Sequence, residues 1–189
     1  FPLLSANTVI DPASPLYGLI QGYTVKEIGG QKVGIIGLTT EDTTILSSPG
    51  PGIAFAPHQE AVRLVIAELQ GAGINKIIVL SHLGLPIERQ MARNVAGIDL
   101  IVGGHTHSPV GPMPGAVAEY PIIEKDPAGN TTVVVTDWEW GKYLGDVTLS
   151  FDAAGNVVNA AGQPIEVNES ITPDPAIAAK VAEYAAPLN

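Results

Sequence analysis

No cysteine occurs among the 189 residues, which excludes a disulfide scaffold, a thiolate zinc finger and a thiol nucleophile. Basic charge is scarce as well. Nine Lys and Arg stand against 19 Asp and Glu, a formal net charge of −10 with a pI near 4.6. Such a chain repels a phosphate backbone, so binding to a nucleic-acid polymer is not expected. No apolar run approaches the ~18 residues of a membrane helix. Charged residues reach only 15% and mean hydropathy is +0.25, which argues against intrinsic disorder. A secretory leader and an initiator Met are also missing. The chain opens on Phe1-Pro2-Leu3-Leu4-Ser5-Ala6-Asn7, an apolar segment with no turn before it, the pattern expected of an excised or processed start.

What is present suffices for a core: 46% of residues are apolar, and 21 glycines with 16 prolines supply many turns. The length suits one domain or a piece of one. Tyr23–Ile28 alternates with period two, Gly29-Gly30 turns, and Lys32–Leu38 returns, which predicts a hairpin. Between His58 and Leu69 the residues Ala61, Val62, Val65, Ile66 and Leu69 fall at helical spacing, and Gly71 and Gly73 end the run. Lys76–Ser81 holds four consecutive aliphatics, the composition of a strand covered on both faces. A second helix is predicted over Ile87–Val95, then a short strand over Asp99–Val102 closed by Gly103-Gly104. Strand, helix and strand with short connections imply a parallel α/β arrangement with right-handed crossovers. Pro109–Gly115 reads as a loop, and Thr131–Asp137 with Tyr143–Phe151 as β-branched strands of a meander, with a return beginning at Val157-Val158. Thr172-Pro173-Asp174-Pro175 starts a final helix bearing Ile177, Val181 and Tyr184.

Three of the four histidines sit where strands end. His82 follows Lys76–Ser81, while His105 and His107 follow Asp99–Val102 and its glycine pair. Open α/β sheets bind ligands outside the carboxyl ends of their strands. Two adjacent parallel strands would therefore carry three imidazoles to one edge, and imidazole suits zinc, iron and manganese. If the backbone is extended there, His105 and His107 project to the same side. His58 is read as an exposed residue in the first turn of its helix. Thr39–Thr44 reads as a helix cap of the Thr-x-x-Asp kind, and Asp137 with Glu139 as solvated acids sharing a strand face. Ser81, His82 and Asp99 do not make a serine hydrolase, because Val79 stands where the nucleophile elbow needs glycine. The glycine pairs lack dinucleotide-binding spacing.

Leu80-Ser81-His82-Leu83-Gly84, followed by Gly97-Ile98-Asp99-Leu100-Ile101-Val102-Gly103-Gly104-His105-Thr106-His107, resembles the calcineurin-like metallophosphoesterases. More narrowly it resembles the bacterial 5′-nucleotidase and 2′,3′-cyclic nucleotide phosphodiesterase family. Gly37–Thr43 and Trp140-Gly141-Lys142-Tyr143-Leu144-Gly145 are similar to that family's segments in the same order. Its Asp-x-His, Gly-Asp and Gly-Asn-His motifs do not occur here. The resemblance implies that residues 1–170 form the C-terminal half of a catalytic domain with an α/β/β/α sandwich, and that 171–189 begin a linker to a C-terminal domain. It implies His82 and His105 as ligands of one divalent ion and His107 of a second, zinc, manganese or similar. Catalytic and nucleoside-binding residues are then expected outside this chain. The implied activity is in-line hydrolysis of a nucleotide phosphate ester between two cations, in a periplasmic or secreted enzyme. Two alternatives accompany it. The chain alone is a silent half-domain that self-associates through its bared sheet face and holds one ion or none. Or the same fold hydrolyses a sulfur-linked substrate.

Overall fold

The first strands are short: β1 (Leu3–Leu4), β2 (Thr8–Ile10) and β3 (Ile20–Gln21), with β1 and β3 paired in parallel. In the computed structural model, which describes residues 1–188, they lead into a hairpin of β4 (Tyr23–Ile28) and β5 (Gln31–Thr39). Gly29 and Gly30 both take positive φ, 58° and 75°, as a two-residue turn between such strands requires. The next stretch holds α1 (Thr43–Leu46), β6 (Ile53–Phe55), which pairs antiparallel with β2, and α2 (His58–Gly71). It is followed by β7 (Ile77–His82), α3 (Leu85–Asn94) and β8 (Leu100–Val102). The last third supplies β9 (Ile122–Lys125), β10 (Thr131–Val135), β11 (Tyr143–Phe151), β12 (Val157–Glu166) and α4 (Pro175–Ala185).

Six strands form the central sheet in the order β4-β5-β7-β8-β10-β9. The middle four run parallel and each edge strand is antiparallel to its neighbour. The two predicted crossover helices are present: α2 lies between β5 and β7, and α3 between β7 and β8. Both cover the same face, where Val62, Ile66, Leu69 and Met91 meet Ile36, Leu38, Ile77, Val79, Ile101 and Val134. Gly34 lets α2 approach, since a Cβ there would run into the Leu69 side chain. Residues of opposite parity face the other way. Leu100, Val133 and Val135, with Ile78 and Val102, pack under Val147, Leu149, Phe151, Val157 and Ala160 of the β11–β12 hairpin.

Two readings need correction. Thr131–Val135 does not belong to a meander with Tyr143–Phe151. It enters the central sheet between β8 and β9, while β11 pairs with β12. Thr132, Val133, Val134 and Val135 are all buried, which requires cover on both faces and which a surface ribbon cannot supply. The aliphatic run of β7 is covered only in part, for the hairpin shelters Ile78 but Leu80 remains 44% exposed. The final helix forms as predicted. Asp174 caps it by accepting the backbone N–H groups of Ala176 and Ile177 at 2.9 and 3.0 Å. Its apolar residues Ile177, Val181 and Tyr184 stand exposed. The predicted 171–189 segment ends on Asn189, which lies outside the described residues.

Asp99, at the start of β8, is 8% exposed, and its Oδ2 accepts the Ile77 backbone N–H at 2.7 Å. Burial pushes this carboxyl up to about 7; the hydrogen bond from Ile77 and the charge of Lys76 oppose the rise, while Asp126 adds to it. The folded state therefore holds this proton more tightly than the unfolded state. That contribution to stability is complete below the ordinary aspartate range and is lost as pH rises through 7. D99N is expected to flatten this part of the profile, with a change relative to the parent of up to ~4 kcal/mol between pH 4 and 8. Urea unfolding of both proteins across that range measures it. Parallel profiles for the two proteins would contradict the assignment.

Candidate functional site

The parallel register brings the ends of β5, β7, β8 and β10 to one rim. Thr39 pairs with His82, Leu80 with Val102, and Val102 with Val135. The loops after β8 and β10 then place Gly103–His107 and Thr136–Trp140 side by side at that rim. His82 and His105 come together, their ring centroids 5.0 Å apart and their planes tilted by 56°. Gly104 lies beside this pair, and a Cβ there would sit in ordinary van der Waals contact, 3.4 Å, with Nδ1 of His82. Burial, and then the neighbouring His105 and His107, hold the His82 imidazole below the usual histidine range.

His107 is placed differently from expectation. The backbone is not extended here: φ is 73° at His105 and 47° at His107, so the alternation that would align the two rings does not operate. The His107 ring meets the edge of Trp140 at 5.6 Å, and its Nδ1 lies 3.1 Å from Oε2 of Glu139. Lys142 Nζ contacts the other Glu139 oxygen at 2.6 Å and lies over the rings of Trp138 and Trp140, at 4.2 and 5.1 Å from their centroids. The Lys142 ammonium holds the Glu139 carboxyl below the usual range against the opposing effect of burial, and His107 adds to the lowering.

Glu139 is thus not a solvated acid, its side chain being 14% exposed and paired at both oxygens. Nor does it share a face with Asp137. Strand β10 ends at Val135, and positive φ at Trp138 (60°) and Trp140 (52°) breaks the alternation. Asp137 packs against Gly145 of the hairpin, with Oδ1 buried and without a hydrogen-bond partner, and burial raises its carboxyl. Sequence reasoning did not anticipate Glu139, Lys142 or Trp140 at this rim. The available signal was the Trp-Glu-Trp-Gly-Lys run directly after a β-branched strand.

His58 is not exposed either. Its side chain is 17% accessible, and both its backbone N–H and its Nδ1 contact Oε1 of Glu41 at 2.8 Å. The carboxylate thereby meets the N-terminus of α2. The Thr-x-x-Asp cap does not form, because Asp42 makes no side-chain hydrogen bond at the start of α1, where Thr43 Oγ1 instead donates to the Thr40 carbonyl. Although burial raises the Glu41 carboxyl, the hydrogen bonds from His58 prevail and hold it below the usual range. Ser81 and Asp99 lie at opposite ends of their strands, which removes any triad.

The donor set fits a divalent cation in part. Two facing imidazoles suit a borderline ion. No group of three or more His, Cys, Asp or Glu side chains is arranged to hold one among the described residues. No family model matches the chain. It is 39% identical over 198 residues to a snake venom 5′-nucleotidase of Naja atra, covering 100% of this chain and 37% of that protein. A 5′-nucleotidase precursor of Thermus thermophilus superposes with a TM-score of 0.94 at 38% identity, over 100% of this chain and 38% of that one. The chain belongs to the 5′-nucleotidase family. It spans little more than a third of the length of these relatives. A sulfate thiohydrolase of Thermus thermophilus shares the fold, with a TM-score of 0.78 at 23% identity over 98% of this chain and 32% of that one.

The Glu41 contact carries its own test. E41A removes an anion and an acceptor from the α2 N-terminus and is expected to lower stability by about 1 kcal/mol, E41Q by less. Thermal unfolding compares the two variants, and equal losses would contradict a capping role.

Proposed function

We propose that this segment of a 5′-nucleotidase forms one side of a divalent-metal site at which the complete protein hydrolyses a nucleotide phosphate ester. The observation that carries the reading is the facing pair His82 and His105 at the carboxyl rim of a parallel sheet, in a chain so similar to named 5′-nucleotidases. His82 and His105 would hold one ion and His107 a second. The contact of Nδ1 with Glu139 leaves Nε2 of His107 as the nitrogen free to ligate. A bound divalent cation lowers the pKa of its water and neutralises charge on phosphoryl oxygens. When bound it would also reverse the local sign in a protein of charge −10, which would make an anionic substrate admissible. The chain's own part is orientation: the backbone, at positive φ in both His105 and His107, sets the two rings at the rim before any ligand arrives.

In this reading residues 1–170 are part of the catalytic domain and 171–189 lead toward a further one. Zinc and manganese are the ions proposed, and a location outside the cytoplasm is proposed with them. The chain by itself is proposed to be inactive, since imidazoles without carboxylate ligands hold an ion weakly. Self-association of the isolated chain through its sheet face is proposed with it. The sulfur-substrate reading rests on fold alone and has no observation of its own.

Metal analysis and hydrolysis of AMP, by this chain and by the complete protein in zinc or manganese, test the proposal. The complete protein is expected to turn over AMP and the chain alone to show none. H82A and H105A in the complete protein are each expected to lower metal occupancy and to reduce kcat/KM by ~100-fold or more. Unchanged occupancy and rate in both variants would overturn the reading, and ordinary turnover by the isolated chain would overturn its inactivity.

A further inference from the structure

Helix α3 carries a carboxyl that solvent does not reach. Glu88 is 0% exposed, its Oε1 accepts the backbone N–H groups of both Gly84 and Gly104 at 3.2 Å, and its Oε2 is buried with no hydrogen-bond partner. Gly84 lies in the turn after β7, two residues beyond His82, and Gly104 in the turn after β8, immediately before His105. A single oxygen therefore ties together the turn that follows His82 and the turn that holds His105. Thr106 adds a second tie, its Oγ1 accepting the Leu85 N–H at 3.1 Å.

The sequence around these turns is shaped to the carboxyl. A Cβ on Gly103 would clash with Oε2 of Glu88, so the first glycine of the pair makes room for the acid. Neither glycine has positive φ, so the requirement at Gly103 comes from space and not from backbone conformation. An acid buried this deeply destabilises the fold relative to an apolar residue of similar size. What it supplies in return is a link between the two turns beside that of Thr106.

We propose that Glu88 is a positioning residue that holds His82 and His105 next to one another, so that an ion meets a preformed pair of imidazoles. The proposal rests on the reading of those imidazoles as ligands of one ion. With Glu88 removed, binding must itself order the two loops, and affinity falls accordingly.

The test uses the whole chain and four variants: E88Q, E88A, G103A and E88A/G103A. Each is assayed for the NOE between the His82 and His105 rings, for Zn²⁺ affinity by calorimetry and for thermal unfolding. E88A is expected to abolish the NOE and weaken Zn²⁺ binding ~10-fold or more. G103A displaces the carboxyl and is expected to do the same. In the double variant the new methyl group fills the space vacated by the acid, so its effect falls well short of the two single effects combined. E88Q keeps the acceptor for both N–H groups and is expected to restore most of the NOE and the affinity.

A folded E88A that retains both NOE and affinity would overturn the proposal, as would additive effects in the double variant. Should E88A fail to fold, G103A decides, and an unchanged NOE there overturns it. H82A and H105A separate the two readings. If they leave Zn²⁺ affinity unchanged while E88A abolishes the NOE, the metal reading fails and the clamp stands as a structural device. If they weaken binding while E88A leaves the NOE intact, the clamp alone fails.

Discussion

The register of the four parallel strands is the constraint on which the other features depend. Hydrogen bonding sets Thr39 beside His82 and aligns Leu80, Val102 and Val135 in one row. Everything that follows those residues in the chain therefore emerges at a common edge. Register also decides the face. His82 has the parity of Ile78 and Leu80, away from α2 and α3, and a slip of one residue would turn it toward the helices. The apolar residues of opposite parity, Ile77 and Val79, are fully buried and a slip would expose them, so the core enforces the alignment that the rim uses.

Beyond the strand ends the backbone departs from regular geometry, and it does so in a concentrated way. Among the described residues, the non-glycine positions with positive φ are His105, His107, Trp138 and Trp140, all in the loops after β8 and β10. For side chains of this size such backbone is disfavoured by about 1–3 kcal/mol per residue. The surrounding contacts are of a kind that can sustain it. Lys142 lies against both tryptophan rings and pairs with Glu139, which contacts His107, whose ring meets Trp140. Each group in this circuit restrains the next. Strain gathered at one rim of an otherwise regular sheet is the pattern of a functional edge.

Much of this was legible in the order of residues, and the reasons are local. The hairpin of β4 and β5, the helix from His58 and the strand before His82 follow from periodicity and glycine placement over a few residues. Histidines directly after strands are visible because strand ends are. Relations between distant segments were not visible. Glu41 reaches the start of α2, 17 residues away, and so converts His58 from a presumed surface residue into a partner. Thr131–Val135 has the composition of any β-branched strand, and only its burial on both faces assigns it to the central sheet. Asp137 and Glu139 looked equivalent because alternation was assumed to continue past Val135.

The sequence by itself determined the element types, the family and the placement of imidazoles at strand ends, because these depend on short-range patterns and on motif order. Tertiary structure alone decided which imidazoles face one another and which acids are buried. Those outcomes depend on sheet order, on loop conformations at positive φ and on a carboxyl of α3 that reaches both the turn just before its own helix and the turn after β8, 16 residues on. None of these carries a local periodic signal, since each is settled where separate elements of the fold meet at the rim.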